Sequence, residues 1–142
     1  YEHYEISNFC KPEYYSQHNT SYWKGIPYLG CGPSAHSFDG SSREWNVSSI
    51  NQYIKGIENG NRVFDKETLD NESIITSLRT EWGIPLSKLE QQFGKERKDY
   101  CLKMASPYLQ DGKLELQDDV LSLTREGIFV SDSIMSDLLW VE

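Results

Sequence analysis

The chain has 142 residues and a formal net charge of −8 at pH 7. This length accommodates one ordinary domain, or one small domain together with a piece of another. The acidic balance argues against a surface that follows nucleic-acid phosphates, and no apolar run approaches the roughly 18 residues that cross a bilayer. We therefore expect no nucleic-acid partner, no transmembrane segment and no signal peptide.

The cysteines are few and widely spaced. Cys10, Cys31 and Cys101 are separated by 21 and 70 residues. This spacing matches neither an even disulfide framework nor a metal-ligand motif. We therefore expect free thiols in a reducing cytoplasm, and no metal site within the chain.

The composition changes near residues 60–62. Residues 1–62 hold five Lys or Arg and six Asp or Glu, a net charge of −1, whereas residues 63–142 hold nine and sixteen, a net charge of −7. Seven of the nine tyrosines also precede residue 63. This shift predicts two units, residues 1–61 and residues 62–142.

The first predicted elements are a strand at residues 4–7 and a loop at residues 11–17. The next segment, residues 18–23, has no clean hydrophobic period. Asn19 or Thr20 is suited to cap a short helical turn there, because both side chains accept hydrogen bonds from backbone amides.

A second strand is predicted at residues 28–32, where a short apolar run breaks into Gly30 and Gly32. Glycines in such a place let the backbone turn sharply and approach a ligand closely, because no Cβ is in the way. A turn at residues 39–42 then leads into an extended segment at residues 43–47.

A short helix is predicted after Ser48 or Ser49, with its end at Asn59-Gly60. Its apolar residues share one face: Ile50, Tyr53, Ile54 and Ile57. Two or three strands and one helix are too few to close a core. Residues 1–61 are therefore interpreted as the end of a larger α/β body whose beginning lies outside the chain.

The sequence of residues 62–142 predicts a complete set of helices and a hairpin. These are a helix at residues 66–82, a helix from Pro85 to Gly94, a helix from about Glu96 to Leu109, a hairpin at residues 114–123, and a last helix after Thr124. Ser87 and Glu90 fit a capping box for the second helix, and Pro107 is expected to kink the third helix or restart its turn. This order is typical of a winged-helix domain.

A winged helix raises the question of DNA binding, and the charges argue against it. The third helix offers four basic residues: Lys95, Arg97, Lys98 and Lys103. However, its unit carries a net charge of −7, and the predicted wing tip is Asp118-Asp119, which phosphates repel. A packing or lid role is therefore expected.

Three motifs in the first part carry a family resemblance: YEISNFCKP at residues 4–12, HNTSYW at residues 18–23 and YLGCGPSAHSF at residues 28–38. They resemble the radical S-adenosylmethionine (SAM) family of oxygen-independent coproporphyrinogen III oxidases, and within it the HemW type of heme chaperone. The tail of the chain, with an LTxxG-type start at residues 123–127, is similar to that family's C-terminal winged-helix domain. The resemblance covers essentially the whole chain.

This resemblance implies a fold: an α/β remnant of a radical SAM (β/α) barrel over residues 1–61, followed by an α+β winged-helix domain over residues 62–142. Radical SAM chemistry needs a 4Fe-4S cluster on a CxxxCxxC loop, which the three cysteines cannot form. The full-length parent is thus expected to use a 4Fe-4S cluster, S-adenosylmethionine and heme. No catalytic residue is assigned to this piece, and none of those groups is expected to be bound to it.

The resemblance also implies four candidate heme-binding residues: His18, Asn19, Tyr22 and Trp23. A neutral imidazole binds iron, and the aromatic rings can stack on a porphyrin face. The alternative is a structural loop, in which His18 and Asn19 bond to backbone groups while Tyr22 and Trp23 fill the core.

A second set of candidates belongs to the loop that the resemblance places near the cofactor pocket: Gly30, Gly32, Ala35 and His36. His36 lies at a predicted strand-to-loop exit, where barrel enzymes collect functional groups. The alternative is a tight turn in which a neighbour satisfies His36.

Three functions remain open at this stage. The parent is a heme-binding chaperone, which the HNxxYW motif favours, or an enzyme that oxidatively decarboxylates coproporphyrinogen III to protoporphyrinogen IX, or a non-catalytic interaction module. The expected partners are heme or a porphyrin, the N-terminal barrel of the same protein and a heme-recipient protein.

Overall fold

The structure is a computed structural model that describes residues 1–56, 60–63 and 66–141, with the backbone alone for residues 60–63 and 66–69. Eight strands and seven helices lie within these residues. In chain order they are β1 (Glu2–Glu5), β2 (Asn8–Cys10), α1 (Gln17–Trp23), β3 (His36–Phe38), β4 (Ser42–Trp45), α2 (Ile50–Ile54), β5 (Gly60–Val63), α3 (Lys66–Leu78), β6 (Ile84–Pro85), α4 (Leu86–Phe93), α5 (Lys95–Gln110), β7 (Leu114–Gln117), β8 (Val120–Leu123), α6 (Arg125–Ile128) and α7 (Ser131–Leu138).

The strands form three small sheets, with the orders β1-β2, β3-β4-β5 and β6-β8-β7. Every strand pair among the described residues is antiparallel. A (β/α) barrel is built from parallel strands. The sheets of the described residues do not provide such strands, so the barrel interpretation of residues 1–61 stays a prediction.

The main cluster of buried hydrophobic residues lies in the second part of the described chain. Its buried members are Ile74, Leu78, Ile84, Leu86, Leu89, Cys101, Ala105, Leu114, Leu121, Ile134, Met135 and Leu138. Residues 114–123 fold back as a hairpin whose inward side chains, Leu114 and Leu121, join α3, α5 and α7 in this core. Because these apolar faces converge, the second part has a core of its own.

The first part has almost no core. Within residues 1–56 the buried hydrophobic side chains are Tyr4 and Cys10. Ten large apolar side chains there are exposed: Tyr1, Phe9, Tyr14, Tyr22, Ile26, Leu29, Trp45, Ile50, Tyr53 and Ile54. This distribution agrees with the expectation that so few elements do not close a core.

The β1-β2 hairpin is attached to the end of α3. The Ile6 amide donates to the Arg79 carbonyl at 2.9 Å, and the Glu81 amide donates to the Tyr4 carbonyl at 3.0 Å. The Glu5 carboxylate lies 2.8 Å from the Arg79 guanidinium. These contacts join the two parts across the predicted boundary at residues 60–62.

The structure corrects several predicted elements of the first part. The predicted strand at residues 4–7 ends at Glu5, where a turn leads into β2. The strand predicted at residues 28–32 is absent: Tyr28 pairs with Phe38, but the strand itself is β3. The reason is a contact from a later residue: the Asn46 side-chain amide donates to the carbonyls of Gly30 and Gly32 and holds this segment as a loop.

The helix caps are partly as predicted. Ser16 caps α1 by accepting from the Asn19 amide, so neither Asn19 nor Thr20 is the cap. Ser49 caps α2, as predicted. The predicted end of α2 at Asn59-Gly60 is wrong, because the helix ends at Ile54 and is followed by Gly56 with a positive φ of 68°. Ile57 and Asn59 lie outside the described residues.

The second part follows the predicted order of elements, with one unpredicted strand, β6, and with differences at the ends of the helices. The first of these helices, α3, ends at Leu78 rather than at residue 82. In the next helix the predicted capping box of Ser87 and Glu90 is not formed, because the Ser87 amide donates to the Asp119 carboxylate at 2.8 Å instead. The third helix, α5, continues through Pro107.

The last predicted helix is two helices. Thr124 caps the first, α6, as predicted, and α7 starts at Ser131. Within α6 the chain needs Gly127, because a Cβ at this position would lie 1.9 Å from the Lys113 carbonyl oxygen. The order of helices and hairpin is therefore present, whereas the winged-helix assignment stays a prediction.

Candidate functional site

The HNxxYW motif forms most of α1, and helical spacing divides it into two faces. His18 and Tyr22 are four residues apart and lie on one face. The Tyr22 hydroxyl and His18 Nε2 share a hydrogen bond of 3.1 Å, and the two rings meet edge to face at 4.9 Å. Both side chains are exposed to solvent. The motif therefore presents an accessible imidazole beside a phenol.

The other two motif residues, Asn19 and Trp23, lie on the face that contacts the β1-β2 hairpin. The Asn19 amide nitrogen is 3.5 Å from the Asn8 side-chain oxygen, and the Trp23 ring is 5.9 Å from the Tyr4 ring. The structure thus brings His18 and Tyr22 together at the surface. Asn19 and Trp23 position α1 against the rest of the chain.

A row of aromatic rings continues from this pair. Tyr22 meets Tyr28 edge to face at 4.7 Å, and Tyr28 lies 6.2 Å from Phe38. The Arg43 guanidinium is 5.7 Å from the centroid of the Phe38 ring. The row therefore connects the exposed imidazole of His18 with a basic residue on β4.

These rings line a cleft between α1, the β3-β4 hairpin, α3 and α4, with a volume of about 640 Å³. We call it the α3 cleft. Small-molecule sites in proteins typically have volumes of about 300–1,000 Å³. Its aromatic lining consists of Tyr22, Trp23, Tyr28, Phe38, Trp82 and Phe93. An apolar, aromatic wall of this kind suits a flat organic ligand.

One side of the α3 cleft is polar. Four hydroxyl residues of α3 and its C-terminal end face it: Ser73, Thr76, Ser77 and Thr80. The neighbouring Ile74 and Leu78 point to the opposite side, into the core. This set was missed in the sequence, although hydroxyl residues at positions i, i+3, i+4 and i+7 form a recognisable helix face.

The charges of the α3 cleft differ from those of the whole chain. Its described lining contains three basic residues, Lys24, Arg43 and Lys88, and one acidic residue, Glu72. Arg43 and Glu72 form an ion pair at 3.3 Å, and Lys24 Nζ lies 5.3 Å from the centroid of the Trp82 ring. In a chain with a net charge of −8, the cleft is therefore a locally basic place.

The second candidate set, Gly30, Gly32, Ala35 and His36, forms a loop held by its own backbone and by Asn46. Gly30 packs directly on the next strand, since a Cβ here would lie 2.1 Å from the His36 carbonyl oxygen. The Ala35 carbonyl accepts from the Asn46 amide at 2.9 Å. The His36 side chain is exposed, with its ring 6.2 Å from Trp45. Among the described residues, the lining of the α3 cleft does not include this loop.

The described residues do not fit an iron–sulfur cluster. Cys10 and Cys101 are buried and Cys31 is exposed, all as free thiols. Burial, with a smaller effect of the Asp70 charge, raises the pKa of the Cys101 thiol to about 12, so it is not a thiolate at neutral pH. Across the described ranges, no group of three or more His, Cys, Asp or Glu side chains is arranged to hold a metal ion.

In the part of the chain that the structure describes, no helix has both the length and the apolar character needed to span a bilayer.

The chain is similar in sequence to known proteins. Residues 64–130 match the family model described as the HemN C-terminal domain. The chain is similar to the heme chaperone HemW of Mycobacterium tuberculosis, with 32% identity over 96% of this chain and 34% of the relative. It is also similar to the heme chaperone HemW of Bacillus subtilis, with 27% identity over 96% of this chain and 38% of the relative. The chain thus spans about a third of the length of these relatives.

A solved structure has the same fold. Coproporphyrinogen III oxidase (HemN) from Escherichia coli, described as a radical SAM enzyme, superposes with a TM-score of 0.67 over 96% of this chain and 37% of that one. The sequence identity is 19%, so this likeness concerns the fold alone. The matched domain and the HemW relatives show that the chain belongs to the family of HemN- and HemW-type proteins.

Proposed function

We propose that this chain is the C-terminal part of a HemW-type heme chaperone and that its α1 helix binds heme. The observation that carries the proposal is the exposed His18 imidazole, which is hydrogen-bonded to Tyr22, a residue that lines the α3 cleft. The bacterial relatives are heme chaperones, which supports heme as the ligand. Heme is the cargo of such a protein, and we propose that the His18 imidazole coordinates the heme iron.

The chemistry of His18 suits this role. Neutral imidazole is a common ligand of heme iron, and His18 is accessible from solvent. Its Nε2 shares a hydrogen bond with the Tyr22 hydroxyl, so coordination through Nε2 requires Tyr22 to release this bond. Tyr22 and Tyr28 then remain beside the ligand as aromatic surface.

The rest of the parent protein is part of the proposal. Its 4Fe-4S cluster and S-adenosylmethionine are assigned to a barrel outside the described residues, and residues 1–61 are proposed to pack on that barrel through the exposed apolar side chains of the first part. Residues 62–142 are proposed to form the winged-helix-like unit. We also propose that the parent protein passes heme to a recipient protein and that it works in the cytoplasm.

A titration with heme tests the role of His18. We expect His18→Ala to weaken heme binding at least tenfold, measured by the Soret absorbance of the full chain, because the iron loses its nitrogen ligand. His3→Ala is the control, since His3 is also exposed but stacks on Phe9 away from the cleft. Equal heme affinities of the wild type and His18→Ala would contradict the assignment.

The alternatives predict different results in the parent protein. Tight stoichiometric heme binding without decarboxylation of coproporphyrinogen III supports the chaperone. Decarboxylation that depends on S-adenosylmethionine supports the oxidase, whose fold the chain shares. A protein that shows neither behaviour supports the interaction module.

A further inference from the structure

We propose that residues 139–141, which follow α7, form a releasable strap across the first half of α3. We call these residues the α7 strap. When it is closed, the strap holds α3 against the β3-β4 hairpin of the first part, and when it opens this contact loosens while the core stays folded. The proposal concerns the junction of the two parts and does not depend on heme binding.

The Asn71 side chain holds the α7 strap as a neighbouring strand would. Its amide nitrogen donates to the Trp140 carbonyl at 2.9 Å, and its side-chain oxygen accepts from the Trp140 backbone amide at 2.8 Å. The Leu139 carbonyl accepts from the Tyr100 hydroxyl at 3.1 Å, whereas Val141 is 77% exposed. Two consecutive residues that are neither helix nor strand are therefore anchored to both α3 and α5.

The Trp140 ring covers an ion pair between α3 and α5. The Arg97 guanidinium lies 3.8 Å from the centroid of the Trp140 ring, and the Tyr100 ring meets the Trp140 ring edge to face at 4.7 Å. Arg97 also lies 3.5 Å from the carboxylate of Asp70, a residue that is 1% exposed. A cation–π contact is stronger where water is excluded, so closure of the strap and burial of the ion pair support each other.

Closure also has a free-energy cost, which makes the strap releasable. Arg97 Nη1 and Trp140 Nε1 are both buried and have no hydrogen-bond partner among the described residues. A buried donor without an acceptor is unfavourable, because water would satisfy the same donor once it is exposed. Ile134 and Leu138 of α7 belong to the core and not to the strap. We therefore expect the strap to open locally, without unfolding of the core.

A single turn of α3 connects the strap with the first part. Asn71 bonds to the strap, whereas the next residue, Glu72, pairs with Arg43 of β4 at 3.3 Å. Consecutive residues of a helix point in directions that differ by about 100°, so the two contacts restrain the same turn from two sides. Opening the strap removes one of these restraints, and the contact of α3 with β4 should weaken.

Amide hydrogen exchange of the full chain, followed by NMR, tests whether the strap opens by itself. We expect the Trp140 amide to exchange at least tenfold faster than the Ile134 amide of α7, which donates to the Val130 carbonyl. Equal rates would mean that the strap opens only when the core unfolds, and the releasable strap would be wrong.

The variant Asn71→Ala tests whether the strap controls the junction. Alanine removes both hydrogen bonds to Trp140 but favours a helix more than asparagine does, so α3 itself is not weakened. We expect exchange at residues 42–45 of β4 to become at least tenfold faster, while α5 and β8 keep their wild-type rates. Ser73→Ala is the matched control and should leave β4 unchanged, because Ser73 lies on the same helix but faces the α3 cleft.

Three results would overturn the inference. Exchange of β4 at the wild-type rate in Asn71→Ala would show that the strap does not act on the first part. Acceleration that extends to α5 and β8 would show that Asn71 supports the whole core rather than the strap. Equal acceleration of β4 by Ser73→Ala would show that any loss of a polar side chain on α3 has the same effect.

Discussion

Glu5 is the residue that joins the two parts of the chain most directly. It is 2% exposed, yet it carries a carboxylate. Arg79 donates to it through Nε at 3.0 Å, and Ser7 donates through its backbone amide at 3.0 Å. Asn8 donates from the hairpin side. A buried carboxylate with this many donors stays charged and fixes the orientation of the hairpin.

We predict that Glu5→Gln destabilises the chain by about 1–3 kcal/mol, because Arg79 and the hairpin amides lose their charged acceptor. Chemical denaturation at neutral pH measures the effect. Glu81→Gln is the matched control, since Glu81 follows the same junction but is exposed. A control that is destabilised as much as Glu5→Gln would contradict the role of the buried carboxylate.

The pH dependence of this contribution follows from the pKa of Glu5. Burial, the largest influence, raises the pKa, but hydrogen bonds from Asn8, Ser7 and Arg79 together outweigh it, so the pKa lies below the ordinary value of 4.5. The stabilisation is therefore complete above about pH 4.5 and is lost as the pH falls through the lowered folded-state pKa. The difference in stability between the wild type and Glu5→Gln should shrink over this acidic range.

Of the candidate heme residues, the sequence identified the four motif positions but not their division into two faces. The HNxxYW segment has no clean hydrophobic period, so a helix was predicted only as a capped turn. Once Ser16 starts α1, the spacing of four residues pairs His18 with Tyr22 and Asn19 with Trp23. The division depends on where the helix starts, which local sequence specifies weakly.

At the scale of elements, the tip of the β7-β8 hairpin caps α4. The Asp119 carboxylate accepts from the Ser87 amide at 2.8 Å, and the Asp119 carbonyl accepts from the Leu86 amide at 2.9 Å. Asp119, which the sequence places at the predicted wing tip, thus accepts hydrogen bonds from the first amides of α4. Its negative charge would also repel a phosphate.

We predict that Asp119→Ala lowers the stability by about 1 kcal/mol, the usual effect of losing a side-chain cap. Asp118→Ala is the matched control, because both aspartates have a positive φ, 48° for Asp118 and 66° for Asp119. Alanine tolerates this left-handed backbone conformation less well than aspartate does, so both replacements carry the same backbone cost. Thermal unfolding should show a larger decrease for Asp119→Ala than for Asp118→Ala. Equal decreases would mean that backbone conformation, rather than capping, explains the effect.

The elements of the second part were largely predictable, because hydrophobic periodicity specifies helices and hairpins locally. The α4 cap was not, since its acceptor comes from a residue 32 positions away. The same limit applies to the α3 cleft: Trp82 and Lys88 meet Phe38 and Lys24 only after the chain has folded. The loop at Gly30 and Gly32 was mistaken for a strand because Asn46, which holds it, follows much later in the chain.

At the scale of the whole molecule, the chain combines a self-sufficient core with a poorly buried first part. The core residues lie between Ile74 and Leu138, and the first part is attached through the β1-β2 hairpin and α1. The proposed heme ligand and the aromatic row belong to this first part, whereas α3 and α4 of the second part complete the cleft. Function is therefore proposed where the two parts meet.

Hydrogen–deuterium exchange of the full chain, with and without saturating heme, tests this account most directly. We predict slower exchange with heme at residues 17–28, 36–43 and 72–80, which carry the proposed ligand and the cleft, and little change in α5 and α7. Slower exchange confined to α5–α7, or no change in the three segments when heme is bound, would contradict the proposal that heme binds at the junction of the two parts.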